Sequence, residues 1–168
     1  MAEAFRGEFY QKVDAKARVS IPAAFRAILN SDDPQKGEKG GARLYLVYGG
    51  KARTFVECYS KHGADRLAED IEAMEMGSPE RTRAERDLIS RSVMVEIDAD
   101  GRIVLPPRVR EKMGFAGDLP SDAEAAFAGF TNRFRLYRRE VYDAELAEDD
   151  EDDDIDPLTL VGRHKRTG

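Results

Sequence analysis

The chain has a single cysteine, Cys58, only two histidines, and no apolar run of about 18 residues. One thiol excludes an intrachain disulfide framework and fits a reducing compartment. One cysteine and two histidines cannot furnish a typical structural zinc site, so no metal is expected. Without a long apolar run, no membrane span is expected. The opening MAEAFRGEFYQ lacks the apolar stretch of a secretion signal, so a cytoplasmic protein is expected. Gly37, Gly40 and Gly41 fall in a polar loop rather than between a strand and a helix. They therefore form neither a phosphate loop nor a dinucleotide fingerprint, and no cofactor is expected. Cys58 sits in a strand pattern and reads as core; His62 is separated from it by a strand-to-helix boundary, and His164 lies near the C-terminus. No catalytic residue is assigned, and the chain does not read as an enzyme.

Charge is plentiful but uneven. The net charge is −6, and nine carboxylates lie between Glu145 and Asp156 with no Lys or Arg among them. Without those nine, the remainder carries +3. The body is mildly basic and the tail, 144–168, strongly acidic. Such a block is expected to be disordered. It reads first as a solubilising segment; the alternative is that 147–156 mimic nucleic-acid phosphate and compete for the basic face. The final Arg163-His164-Lys165-Arg166 is read as part of the tail.

The body says one thing twice. Val13-Asp14-Ala15-Lys16-Ala17-Arg18-Val19-Ser20-Ile21-Pro22 returns 84 residues on as Ile97-Asp98-Ala99-Asp100-Gly101-Arg102-Ile103-Val104-Leu105-Pro106. The register continues, with Phe25 matching Val109, Arg26 matching Arg110 and Leu29 matching Met113. A repeat of this kind means two copies of one supersecondary unit. In each, an extended segment (Phe5–Tyr10 and Lys12-Val13 in the first) leads to a tight turn opened by Asp. A short strand (Arg18–Ile21) follows, and proline then opens a helix. The first turn has Ala17 where the second has Gly101, so its geometry is expected to differ or carry strain. Ile21, Phe25, Ile28 and Leu29, and then Leu105, Val109 and Met113, have helical core spacing, and Gly114 reads as a helix stop.

Arg43–Tyr48 with Thr54–Tyr59, and Glu124–Phe130 with Arg133–Tyr137, read as hairpins. Ser31–Ala42 reads as a loop. Between the halves, Leu67, Ile71 and Met74 mark one helix, and Ser78-Pro79 opens another. The expected fold is α+β, mainly β with short helices. Two repeats, 5–59 and 93–143, are joined by linking helices over 60–92.

Asp and Arg four apart across a turn can be purely structural, the Asp fixing the turn and the Arg a surface charge. Alternatively the Arg reads phosphate or guanine, since a two-stranded ribbon fits the DNA major groove. Arg6, Lys12, Lys16 and Arg18 would form a basic surface on the first ribbon. The second is poorer, because Glu96 and Asp100 flank Arg102, so the first should contribute more affinity.

Phe5-Arg6-Gly7-Glu8-Phe9, the doubled Asp-x-x-x-Arg run, and Gly129-Phe130-Thr131-Asn132-Arg133-Phe134 closely resemble the bacterial MraZ family over roughly Phe5 to Asp143. The resemblance implies two AbrB-like swapped-hairpin units and assembly into a homo-oligomeric ring. It implies a nucleoid-associated regulator, mostly a repressor. Its target would be short direct repeats of double-stranded DNA in the promoter of its own operon of division and cell-wall genes. DNA contacts would fall to Arg18 and Arg102, with Lys16 and Arg6 beside them. Asp14, Asp98 and Gly101 would fix the turns. Arg135-Leu136-Tyr137 stands where the family shows an acidic residue and a Trp, and the acidic tail is atypical. The competing reading is an oligomeric protein-interaction scaffold without specific DNA binding.

Overall fold

A computed structural model describes residues 3–152 and 155–164. The first half comprises β1 (Glu8–Lys12), β2 (Arg18–Ser20), α1 (Ala23–Ser31), β3 (Arg43–Val47) and β4 (Val56–Ser60). The second repeats the order with β5 (Ser92–Glu96), β6 (Arg102–Val104), α4 (Pro107–Met113), β7 (Glu124–Gly129) and β8 (Phe134–Arg138). Between them run α2 (Lys61–Glu72) and α3 (Pro79–Ala84), the latter passing into a π-helical turn, Glu85–Ser90. After β8 come α5 (Arg139–Asp152) and α6 (Pro157–Arg163).

Local signals set these boundaries. Pro22 and Pro106 precede α1 and α4, whose buried stripes are Phe25, Ile28, Leu29 and Val109, Met113. Gly114 ends α4 in the left-handed region at φ 82°, where a Cβ is disfavoured. The Ser60 and Ser78 hydroxyls cap α2 and α3 by accepting from Gly63 and Arg81 N–H. Both expected hairpins form, β3 with β4 and β7 with β8.

The pairing of the remaining strands differs from the local ribbons expected. β1 and β2 form no ladder with each other among the described residues; the chain between them makes an isolated bridge, Val13 with Val19. Instead β1 pairs with β7, β5 with β3, and β2 with β6, all antiparallel. Each half thus lends its first strand to the other half's hairpin and its second strand to the other half's second strand. The six-stranded sheet runs β1-β7-β8-β4-β3-β5, which reads the same from both ends once repeat partners are equated. A pseudo-twofold axis follows. It crosses the small sheet at Val19–Ile103 and the large one at Glu57–Arg135, each residue facing its own repeat counterpart.

One core fills the space between the two sheets and α1 and α4. Phe25 is fully buried. It stacks on Phe134 at 4.7 Å, with Phe5 edge-on at 5.4 Å. Truncating such a side chain to Ala costs about 3–5 kcal/mol. Cys58 is buried here, and burial pushes its thiol well above the usual range. Two like residues would normally meet on the axis at positions 57 and 135. Here buried Glu57 accepts from Arg135 Nε at 2.7 Å and Arg133 Nε at 2.5 Å. Arg135 also lies 4.2 Å from the Phe55 ring and 3.9 Å from that of Phe130.

The acidic tail, expected to be disordered, continues α5 through Asp152. Tyr142 packs on Tyr137 at 4.9 Å near the start of α5, so the helix is already nucleated when it reaches the carboxylates. Asp153 and Asp154, and the basic Lys165 and Arg166, lie outside the described residues.

The loop Ser31–Ala42 hides a buried ion pair. Asp33 is almost fully buried and accepts from Arg43 Nε at 2.9 Å, Arg43 Nη2 at 2.7 Å and Arg43 N–H at 2.9 Å. The Arg43 side chain, above all, holds the Asp33 carboxyl down to about 2. The folded value is depressed, so this stabilisation is complete above roughly pH 4 and is lost as pH falls towards about 2. Urea unfolding across that window should show wild type losing on the order of 2 kcal/mol from this group. Asp33→Asn should be less stable at neutral pH, with a shallower acid slope. Equal slopes would contradict the assignment.

Candidate nucleic-acid interface

The two Asp-x-x-x-Arg turns are built alike. Asp14 N–H donates to Arg18 O at 3.0 Å and Ala17 N–H to Asp14 O at 2.9 Å; Asp98 N–H and Gly101 N–H do the same at 2.9 and 3.0 Å. Asp14 Oδ1 accepts from Lys16 N–H at 3.0 Å and Arg18 N–H at 2.8 Å, and Asp98 Oδ1 from Asp100 and Arg102 N–H at 2.9 and 3.0 Å. Both carboxyls lie below their usual range, chiefly because the Arg18 and Arg102 backbone N–H groups favour the charged form. Arg18 lowers Asp98 as well. Ala17 keeps the glycine geometry rather than departing from it. Its φ is 60°, against 77° for Gly101, so the first turn carries the expected strain in the left-handed region.

The arginines are held differently. Arg18 Nε donates to Asp14 Oδ2 at 2.7 Å. Arg102 Nε stands 3.8 Å from Asp98 Oδ2 and, although buried, has no hydrogen-bond partner among the described residues; Arg102 Nη2 reaches Asp100 at 3.2 Å. In β2, Val19 points into the core while Arg18 and Ser20 stay half-exposed; in β6, Ile103 points inward while Arg102 and Val104 face out. Arg18 sits opposite Val104, and Arg102 opposite Ser20. The two arginines are therefore diagonal neighbours on one outward face. Lys16 is exposed on the first turn.

Arg6 does not join them. It precedes β1 beside the Phe5–Thr131 bridge, whereas the turn follows the far end of that strand. Seven residues of extended chain, roughly 20 Å, separate it from Val13. Lys12 ends β1 near the first turn and is exposed. The basic surface therefore comprises Lys12, Lys16 and Arg18, with Arg102 joined across the small sheet.

Arg26 supplies what the second turn lacked in sequence. Its side chain lies across Gly101, where a Cβ would overlap Nη1. Its repeat counterpart does not match: Arg110 Nη2 donates to Gly117 O at 2.9 Å instead. The Ala17 methyl occupies the place that Gly101 leaves open, which accounts for the asymmetry. The signal was available as the Ala/Gly difference, but not which arginine would use it. Among the described residues no group of three or more His, Cys, Asp or Glu could hold a metal ion, and no helix is long and apolar enough to cross a membrane.

Gly101→Ala should destabilise the protein by about 1–2 kcal/mol through its positive φ, and more through displacing Arg26. In an Arg26→Ala background the cost should shrink towards the backbone part alone, as a double-mutant cycle by urea unfolding would read. Strict additivity would mean that Arg26 does not rest on this turn.

A family described as "MraZ protein, putative antitoxin-like" matches residues 88–159. Proteins named transcriptional regulator MraZ are similar over most of the chain. One from Cereibacter sphaeroides is 52% identical, covering 90% of this chain and 89% of its own. One from a Ruegeria species is 38% identical, covering 96% of each. One from Saccharophagus degradans is 30% identical, covering 93% of this chain and 98% of its own. With a doubled turn motif and relatives that match it nearly end to end, the chain belongs to the MraZ family.

Proposed function

We propose that the protein is a sequence-specific DNA-binding transcriptional regulator. It acts as a repressor of its own operon of division and cell-wall genes, in the cytoplasm at the nucleoid, and reads short direct repeats. The observation that carries this reading is the β2–β6 ladder, which sets Arg18 and Arg102 on one exposed face with Lys16 beside them. The names of the relatives support the regulatory role. The two halves, 5–59 and 93–143, act as AbrB-like swapped-hairpin units. Arg18 and Arg102 contact base edges or phosphates, and Lys16 a phosphate. Asp14, Asp98 and Gly101 fix the turns, while Arg6 adds a phosphate contact outside them. Several subunits in a ring present these faces at the spacing of repeated DNA boxes, which gains avidity. The scaffold reading is favoured by one observation: the outward Val104 and edge-strand Met94 are exposed apolar residues suited to protein contact.

Fluorescence anisotropy with DNA from upstream of the gene, and a scramble as control, separates the two. Wild type should prefer its upstream DNA and lose affinity steeply with salt. Arg18→Ala and Arg102→Ala should each remove roughly 1–3 kcal/mol of that preference. Arg6→Ala should reduce the salt slope and leave the preference unchanged. Equal binding to both DNAs would move the scaffold reading ahead.

A further inference from the structure

The repeat register exposes an exchange of charge between the two turns. Lys16 of the first turn is matched by Asp100 in the second, and both side chains are exposed. Over residues 14–18 the first turn carries +1, and over 98–102 the second carries −1. A polyanion is therefore attracted by the first and repelled by the second, although their backbones are alike. Both carboxylates of the second turn engage Arg102, Asp100 at 3.2 Å and Asp98 at 3.8 Å. No cation of that turn is left over for a phosphate.

Arg26 arrives there from the other half. Helix α1 holds it firmly, with Phe25 and Leu29 fully buried on the same helix. Its guanidinium rests where Gly101 lacks a Cβ, and it lines one open groove with Asp98, Gly101 and Arg102. It is half-buried, and among the described residues no carboxylate pairs with it. The other charges near that groove are engaged elsewhere: Arg43 is bound to Asp33, and Glu96 accepts from Lys39 and Gly41 N–H. Adding Arg26 cancels the second turn's charge deficit. The first turn has no such visitor. Arg110 is tied to Gly117 O, Ala17 fills the space, and Lys16 already supplies a cation.

We propose that Arg26 is the phosphate-contacting residue of the second turn, taking the part there that Lys16 takes in the first. This rests on the DNA-contact reading above. Each turn then combines an arginine held by its own Asp with a separate phosphate cation, Lys16 beside Arg18 and Arg26 beside Arg102. The second set is assembled from both halves, so α1 of the first half serves the second half's DNA contact. Phosphate contacts fix register and orientation without carrying sequence information. Arg26 should therefore set affinity and salt dependence rather than base preference.

Anisotropy of the full-length protein with upstream and scrambled DNA, across a salt series, tests this. Arg26→Met keeps an aliphatic stem over Gly101 and removes the charge. It should make the slope of log affinity against log salt shallower by about 0.9 on both DNAs, with the ratio between them unchanged. Arg26→Gln, a second neutral variant, should do the same. Arg26→Lys should keep the wild-type slope, and so should Arg110→Met at the counterpart position. Urea unfolding checks that each variant is folded at the binding temperature. A weaker affinity with the wild-type slope in the neutral variants would make Arg26 a prop of the turn and overturn the assignment. So would an equal loss of slope in Arg110→Met. If wild type binds both DNAs alike but with salt dependence, the regulator reading falls while the slopes still decide the role of Arg26. If wild type binds neither DNA, both fall.

Discussion

Three residues of β2 and three of β6 make the smallest sheet in the molecule, yet both turns depend on it. Ile21 N–H donates to Gly101 O at 2.9 Å, and Leu105 N–H donates to Ala17 O at 2.8 Å. The strand leaving each turn is therefore tied to the other turn's left-handed residue. Neither turn can open without freeing backbone groups in the other half. Unmet buried backbone groups cost about as much as the hydrogen bond lost. Val19 and Ile103, back to back beneath the ladder, place its inner face in the common core, so packing and hydrogen bonding enforce the same arrangement.

The large sheet imposes the exchange a second time. Because β1 lies on β7 and β5 on β3, the halves share one sheet and cannot separate without losing both edge pairings. The axis also creates a problem for a repeat, since position 57 must face position 135. Two glutamates there would repel, as would two arginines. Glu57 and Arg135 differ in sign, and Arg133 fills the remaining carboxylate oxygen. The same divergence appears at the turns, where Ala17 and Gly101 share a conformation but only Gly101 admits Arg26. The repeat preserves backbone geometry; its halves have specialised through side chains on or near the axis.

Much of this was legible in the residues. The prolines and Gly114 marked the helix ends, alternation marked the hairpins, and the 84-residue offset announced paired turns. Strand partnership was not legible. Alternating burial in Glu8–Lys12 is satisfied equally by a local ribbon or by β7, and a turn motif does not say whether its flanking strands pair with each other. Asp33 looked like loop chemistry, since its partner lies ten residues on at Arg43. Arg26 reaches a turn 75 positions away, which no local pattern encodes.

The claim that the two turns form one mechanical unit is tested most directly by native-state amide hydrogen exchange at Ile21 and Leu105. The account predicts that both amides open with the same free energy, together with the core ladder at Val19 and Ile103, and that Gly101→Ala shifts all four alike. Exchange at Leu105 that stays protected while Ile21 opens on its own would show two independent turns, and would contradict it.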